Sequence, residues 1–268
     1  MSVLSVVIIT RNEENNIIDC IRSAKQVSND IIVVDCGSED LTVQMAQAEG
    51  ARTFVISWQG FGFSRNYGAA QARHNWILAL DADERISEAL AFSIKRTEFF
   101  SENQLVKFGR VNYIGDERIN YGTLGFERVK MIYNRKCCEL DQTLVHEKLI
   151  SAQPLTTRKI KGQLIHFGLK SFEDYKNRSV LYAQMSAEKY LLEGRKNSLL
   201  KRVGSPFFNA LKSYIFQLGF LEGKKGFRLA KTIAYYSWLK YYYLHQLRSE
   251  TENPMVFSAA RKMETISN

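Results

Sequence analysis

The chain has 268 residues, 45% hydrophobic and 24% charged, which excludes a disordered protein and indicates one large domain or a medium domain with an appendage. No apolar run reaches the ~18 residues of a membrane-spanning helix. Four cysteines without a C-x-x-C pair read as reduced thiols, excluding a disulfide framework or structural zinc.

The opening residues carry no basic leader and no small-residue cleavage pattern, so the expected compartment is the cytoplasm. Val3–Ile9 is a continuous β-branched run and predicts a buried parallel strand. A helix follows Asn12, with Ile17, Ile21 and Ala24 on one face. Asp30–Asp35 predicts a second strand, and Ser38 or Asp40 caps a helix ending at Gly50. Arg52–Ile56 predicts a third strand, Phe63–Ala72 a helix, and Trp76–Leu80 a fourth strand running into Asp81-Ala82-Asp83-Glu84. This alternation predicts an α/β, doubly wound, mostly parallel sheet. It breaks near residue 105. Leu105–Ile114 and Val129–Tyr133 read as strands, Ser171–Arg195 and Phe207–Leu247 as helices. The expected organisation is a catalytic domain over 1–170, a helical appendage over 171–250 and a polar tail over 251–268.

Ligands of open parallel sheets bind outside the carboxyl ends of the strands. Three polar clusters fall there: Thr10, Asn12 and Glu13; Asp35 and Ser38; Asp81 and Asp83. Two carboxylates two residues apart, leaving a buried strand, suit one divalent cation shared with a diphosphate, because Mg²⁺ and Mn²⁺ prefer oxygen ligands. The structural alternative is a solvated acidic turn before a helix capped by Ser87.

The chain resembles the family-2 glycosyltransferases of the GT-A fold, and among them the bacterial lipopolysaccharide-core β-1,4-glucosyltransferase group. The matching stretches are Val6–Glu14, Ile31–Asp40, Gly60–Gly62 with Arg65-Asn66, Trp76–Glu84 and Val145-His146-Glu147. The resemblance implies an inverting hexosyl transfer from a nucleotide sugar, UDP-glucose being the type expected, onto a saccharide or lipid-linked acceptor in envelope polysaccharide synthesis. It implies that Thr10, Asn12, Glu13 and Ser38 line the nucleoside pocket and that Asp35 accepts from the base. Arg65 and Asn66 would touch the nucleotide, with Arg65 facing the diphosphate. Asp81 would sit near ribose and metal, and Asp83 would ligate Mg²⁺ or Mn²⁺. Deprotonating the acceptor hydroxyl needs a carboxylate within hydrogen-bond reach. Asp141, His146 and Glu147 are the candidates, and the Val-His-Glu match favours Glu147, with His146 orienting it or binding acceptor. His166, after an apolar run, would reach the metal or the diphosphate.

The net charge of +9 is uneven: residues 1–150 hold 17 Lys and Arg against 20 Asp and Glu, and residues 151–268 hold 20 against 8. A basic back half dense in Phe, Tyr and Trp suits an anionic membrane surface, with peripheral attachment to the inner face of the plasma membrane, and the structural alternative is ordinary helix packing onto the catalytic core. No nucleic-acid-binding motif is present, so nucleic acid is not expected as a partner. The rival readings are a sugar-1-phosphate nucleotidyltransferase, whose Gly-rich phosphate loop is missing, and an inactive nucleotide-binding scaffold at the membrane.

Overall fold

The computed structural model describes residues 4–99, 101–125, 130–141, 148–195 and 198–252. In chain order the elements begin β1 (Leu4–Thr10), α1 (Ile17–Lys25), β2 (Asp30–Asp35), α2 (Thr42–Ala48), β3 (Arg52–Val55), α3 (Phe61–Gln71), β4 (Trp76–Asp81), β5 (Glu84–Ile86) and α4 (Glu88–Lys95). They continue as β6 (Gln104–Ile114), β7 (Glu117–Ile119), α5 (Gly122–Gly125), β8 (Lys130–Asn134), β9 (Cys138–Leu140), β10 (Leu149–Ser151) and β11 (Thr156–Leu169). The helices α6 (Phe172–Leu192), α7 (Leu199–Leu211) and α8 (Lys224–Glu252) follow, with a π turn (Lys212–Phe216) and a 3-10 turn (Gly219–Glu222) between the last two. Two compact units result: Met1–Tyr113 with Glu127–Gly168, and Ile114–Phe126 with Leu169–Asn268.

The first unit is built on a mixed sheet of order β3-β2-β1-β4-β8-β6-β11-β5. The pairs β2–β3, β1–β2 and β1–β4 are parallel, and β4–β8, β6–β8 and β11–β5 are antiparallel. Every residue of β1 is buried, because both faces of the strand are covered. Leu4, Val6 and Ile8 join a core with Ile17, Ile21 and Leu90, while Val7 and Ile9 join one with Ile32, Val34 and Ala69. Full burial of such side chains contributes about 1.5–3 kcal/mol each, so a polar substitution at Val7 would break the strand's seat. Helix α3 lies close on β1 and β2 because Gly68 leaves room: a Cβ there would meet Val7 Cγ1 at 2.4 Å.

The register decides where function can sit. Thr10 pairs with Asp35 across β1 and β2, and Ile9 pairs with Asp81 across β1 and β4. The carboxyl ends of three parallel strands therefore finish level on one rim. At the opposite, amino-terminal ends a cavity of ≈ 370 Å³ is bounded by Leu4, Val27, Asn29, Ile94 and Phe99. Asp30 closes that end: its carboxylate accepts from Ser5 Oγ at 2.6 Å, Arg73 N at 2.7 Å and Arg52 Nη1 at 2.9 Å.

In the second unit α8 packs against both α6 and α7. Polar pairs fix these contacts: Ser186 Oγ with Tyr236 Oη at 2.9 Å, and Asn209 Nδ2 with Ser237 Oγ at 2.9 Å. A small apolar cluster of Ile114, Ile119 and Leu229 takes in Leu124, Phe172 and Tyr175. One helix over Phe207–Leu247 is not what forms. Leu218 adopts φ 57, and a Cβ at Gly226 would fall 1.7 Å from Gly219 O, so the chain turns there and α8 restarts at Lys224.

Candidate active site

Buried strands deliver the functional residues to the rim, and short polar loops then fold back over it. Asp35 ends β2 fully buried. Its Oδ1 accepts from Gly37 N at 3.0 Å and Ser38 N at 2.9 Å, and its Oδ2 accepts from Ser38 Oγ. Ser38 Oγ in turn accepts from Asn12 N at 2.8 Å, and Asn12 Oδ1 accepts from Glu39 N at 2.8 Å. Glu13 N donates to Thr42 Oγ1 at 2.8 Å, while its carboxylate accepts from Asn16 Nδ2 at 2.7 Å. The loops after β1 and β2 are thus clasped together by the residues expected around the nucleoside. Thr10 Oγ1 beside them is buried and makes no hydrogen bond among the described residues.

The acidic turn after β4 is held from several sides. Asp81 pairs with Arg65 of α3, a buried guanidinium whose carbon lies 5.7 Å from the Phe61 ring centroid. Asp81 N donates to Glu84 Oε2 at 3.0 Å, and the fully buried Glu84 also pairs with Arg110 Nη1 at 3.1 Å. Arg85 straps the turn by donating to Ala82 O at 3.0 Å and Asn16 Oδ1 at 3.1 Å. This places Arg65, the residue expected to face the diphosphate, on the Asp81 carboxylate.

Asp83 and His166 meet across the sheet. Strand β11 pairs His166 with Glu84 of β5, and Phe167 N donates to Asp83 O at 2.9 Å. That registry leaves Asp83 Oδ2 3.5 Å from His166 Nε2. The ring is turned by Asn112, whose Oδ1 lies 2.7 Å from Nδ1. With Nδ1 donating to that amide oxygen, Nε2 carries the lone pair in the neutral ring and donates to Asp83 once the ring is protonated. Burial pulls the imidazole pKa down. The hydrogen bond and charge of Asp83 outweigh it, against Arg110 and helped by Glu84, and the pKa ends above that of an ordinary histidine.

Two observations test whether this pair suits a divalent cation. Asp83 Oδ1 is buried and makes no hydrogen bond among the described residues. Gly168 keeps the space beside the pair open, since a Cβ there would lie 2.4 Å from His166 Nε2 and 3.2 Å from Asp83 Oδ2. A carboxylate oxygen, an imidazole nitrogen and a cradle that a methyl group would fill fit Mg²⁺ or Mn²⁺. Among the described residues no three His, Cys, Asp or Glu side chains form a ready-made metal cluster.

Asn66, expected to touch the nucleotide, is engaged with the chain itself. Its Nδ2 donates to Leu140 O at 2.7 Å and its Oδ1 accepts from Leu140 N at 3.0 Å, so the carboxamide grips one peptide of β9 at both ends. The next residue, Asp141, donates its N–H to Lys148 O at 2.9 Å and accepts from Lys148 N at 3.0 Å through Oδ1. His146 and Glu147 lie outside the described residues. Residues that sequence reasoning missed are Glu84, Arg110, Asn112 and Gly168. Only Glu84, next to the acidic pair, carried a signal by position. Tyr133 also went unnoticed. Its hydroxyl makes no hydrogen bond among the described residues, and burial pushes its pKa up to about 12.

Comparison with known proteins gives the family. The model of glycosyl transferase family 2 matches residues 5–146, and the chain belongs to that family. An uncharacterized glycosyltransferase of Rickettsia prowazekii (strain Madrid E) is 27% identical over 94% of this chain and 90% of its own length. The lipopolysaccharide core biosynthesis glycosyltransferase LpsC of Rhizobium meliloti (strain 1021) is 26% identical over 92% of this chain and 94% of its own. Among solved structures, residues 1–349 of S. aureus TarS are 14% identical, covering 93% of this chain and 91% of that one at a TM-score of 0.47. The chain is a glycosyltransferase, and its sheet has the parallel half expected, continued by antiparallel strands.

Proposed function

We propose that the protein is an inverting, Mg²⁺- or Mn²⁺-dependent hexosyltransferase that uses a UDP-sugar such as UDP-glucose. The observation that carries the metal-dependent reading is the Asp83–His166 pair beside Gly168, with Asp83 Oδ1 buried and unsatisfied among the described residues. Asp83 and His166 would hold the cation, with Asp81 nearby. Two protein ligands suffice where substrate phosphates complete the shell, as is usual for Mg²⁺. When bound, the cation would offset charge developing on the departing diphosphate.

The chain's own residues do the rest. Asp35, Ser38 and Asn12 shape the nucleoside loop, and Asp35 acts there by holding backbone N–H groups as well as by any contact with the base. Arg65 and Glu84 fix the side chain and the backbone of Asp81. Glu147, or Asp141 in its place, removes the proton from the acceptor hydroxyl as it attacks the anomeric carbon from the face opposite the diphosphate. One displacement inverts the centre, so an α-linked donor gives a β-linked product.

The acceptor is a saccharide or lipid-linked saccharide of the cell envelope, met by a peripheral protein at the cytoplasmic face of the inner membrane. The name and near-full-length match of LpsC support a lipopolysaccharide acceptor. The test is release of UDP from UDP-glucose with Mn²⁺, comparing the wild type with Asp83→Asn. Turnover lost in the variant and in excess EDTA is the expected result. No turnover of any nucleotide sugar by the wild type would favour the inactive scaffold. Retained activity in Asp83→Asn would remove the metal role.

A further inference from the structure

Helix α7 carries more exposed large apolar side chains than any other element described in the second unit. On α7 Leu200, Val203, Phe207 and Leu211 recur at helical spacing and form one arc with Phe208, all exposed, and Phe216 of the π turn is 69% exposed. The opposite face of α7 is spoken for, since Asn209 bonds Ser237 of α8. An arc this apolar needs a covering phase.

The charges beside it say which. Lys201 and Lys212 are exposed, and at 100° per residue they fall at the edge of the arc, next to Phe208. Residues 198–228 carry Lys201, Arg202, Lys212, Lys224, Lys225 and Arg228 against one acid, Glu222. That acid is engaged with the backbone N–H groups of Asn120 and Tyr121, at 2.7 and 3.0 Å. Lys225 is paired with Glu117 at 2.9 Å, which leaves Lys201 and Lys212 beside the arc. Apolar residues flanked by an excess of cations match an anionic lipid surface and mismatch most protein surfaces.

Helix α8, with more aromatics, is poorly placed for this. Leu229, Leu239 and Leu244 are buried, and Lys240 is buried among Tyr190, Tyr236 and Tyr241 with Nζ 4.8, 5.5 and 5.1 Å from their ring centroids. Its charge belongs to internal cation–π packing and is not available to a membrane.

We infer that α7 and the π turn after it form the membrane-inserting edge of the protein, lying in the interface of an anionic leaflet with Phe207 and Phe216 in the acyl region and Lys201 and Lys212 at the headgroups. This rests on the reading of a peripheral membrane transferase and assigns its docking surface.

The test is flotation of the full chain with vesicles of phosphatidylcholine alone or mixed with phosphatidylglycerol, alongside UDP release from UDP-glucose. Wild type should float with the anionic vesicles and be partly released by high salt. The double variant Phe207→Ser, Phe216→Ser should lose ~10-fold or more in partition, because its apolar area no longer leaves water. Lys201→Gln with Lys212→Gln should lose the salt-sensitive part. Both should release UDP at the wild-type rate. Should the serine variant fail to fold, Phe207→Trp offers a second measure: its fluorescence should be quenched by bromine-labelled acyl chains. Wild-type flotation by the serine variant overturns the proposal, as does an unquenched Trp or wild type that binds no vesicle. A dimer in light scattering that dissociates in the serine variant would assign the surface to a second copy and overturn it too. Vesicle binding without UDP release would sink the transferase reading and leave this surface standing.

Discussion

Asp83 Oδ2 and His166 Nε2 lie 3.5 Å apart, brought together by the antiparallel pairing of β11 with β5. The pair is oriented from behind by Asn112, a buried residue on β6. Groups that fix the far nitrogen of a ligating histidine are worth ~10–100-fold in metal affinity. Asn112→Ala should therefore raise the Mn²⁺ concentration for half-maximal turnover by about that factor, with the limiting rate less affected. A Mn²⁺ titration of UDP release checks it. An unchanged half-saturation point would mean that His166 does not ligate the cation.

Gly168 supplies a steric counterpart. A Cβ at this position would fall inside contact distance of His166 Nε2, at 2.4 Å, while Asn112 holds the other side of the ring. Gly168→Ala should displace the imidazole and lower turnover ~10-fold or more, with stability changed by less than about 1 kcal/mol. Turnover and melting temperature measured on one preparation separate the two effects. A variant with wild-type Mn²⁺ response would show that the ring moves freely.

The parts legible in the sequence are those set by local pattern. Strands β1, β2 and β4 are near-continuous apolar runs because they are covered on both faces, and each ends in the polar residues that mark the rim. What stayed hidden depends on pairing between distant segments. Strand β11 opens with exposed Thr156, Thr157, Arg158 and Lys159 and lacks an apolar run over its first half, so only its end near His166 attracted notice. Asn112 is one polar residue on a strand of mixed burial. Its meaning appears only when β11 lies across the sheet from the acidic turn. The Asn66 grip on Leu140 spans 74 residues and has no local signature. The break in the C-terminal helices was missed because Lys212–Phe216 has ordinary helix formers, and the turn follows from close backbone packing at Gly219.

Asn66 gives a third prediction. Both ends of its carboxamide are satisfied by the Leu140 peptide, so its task is to hold β9 against α3. Asn66→Ala removes two hydrogen bonds and should cost about 1–3 kcal/mol of stability. If this structural role is its whole task, the dissociation constant for UDP should stay within about threefold, a change of under 1 kcal/mol. Calorimetric titration with UDP and urea unfolding provide the two readings. A tenfold or larger weakening of UDP with unchanged stability would restore the nucleotide-contact role first assigned to Asn66.

Asp30 ties stability to pH. Burial of its carboxylate raises the pKa, but donation from Ser5 Oγ, Arg73 N and Arg52, together with the Arg52 charge, outweighs burial, and the net pKa is lowered. A carboxylate with a depressed folded-state pKa binds protons more readily when unfolded. Its contribution is complete above the unfolded value, about 3.9, and is lost as pH falls through the folded value. Asp30→Asn keeps the size and loses the charge that three donors face, so at neutral pH it should be less stable by about 2 kcal/mol or more. The gap between wild type and variant should begin to narrow below about pH 4, where Asp30 of the unfolded wild type takes up its proton, and close as pH falls through the lowered folded value. Urea unfolding of both proteins at a series of pH values measures the gap directly. A gap that persists undiminished down to the lowest pH at which both remain folded would mean that Asp30 contributes through shape and hydrogen bonding alone, with no share from its charge.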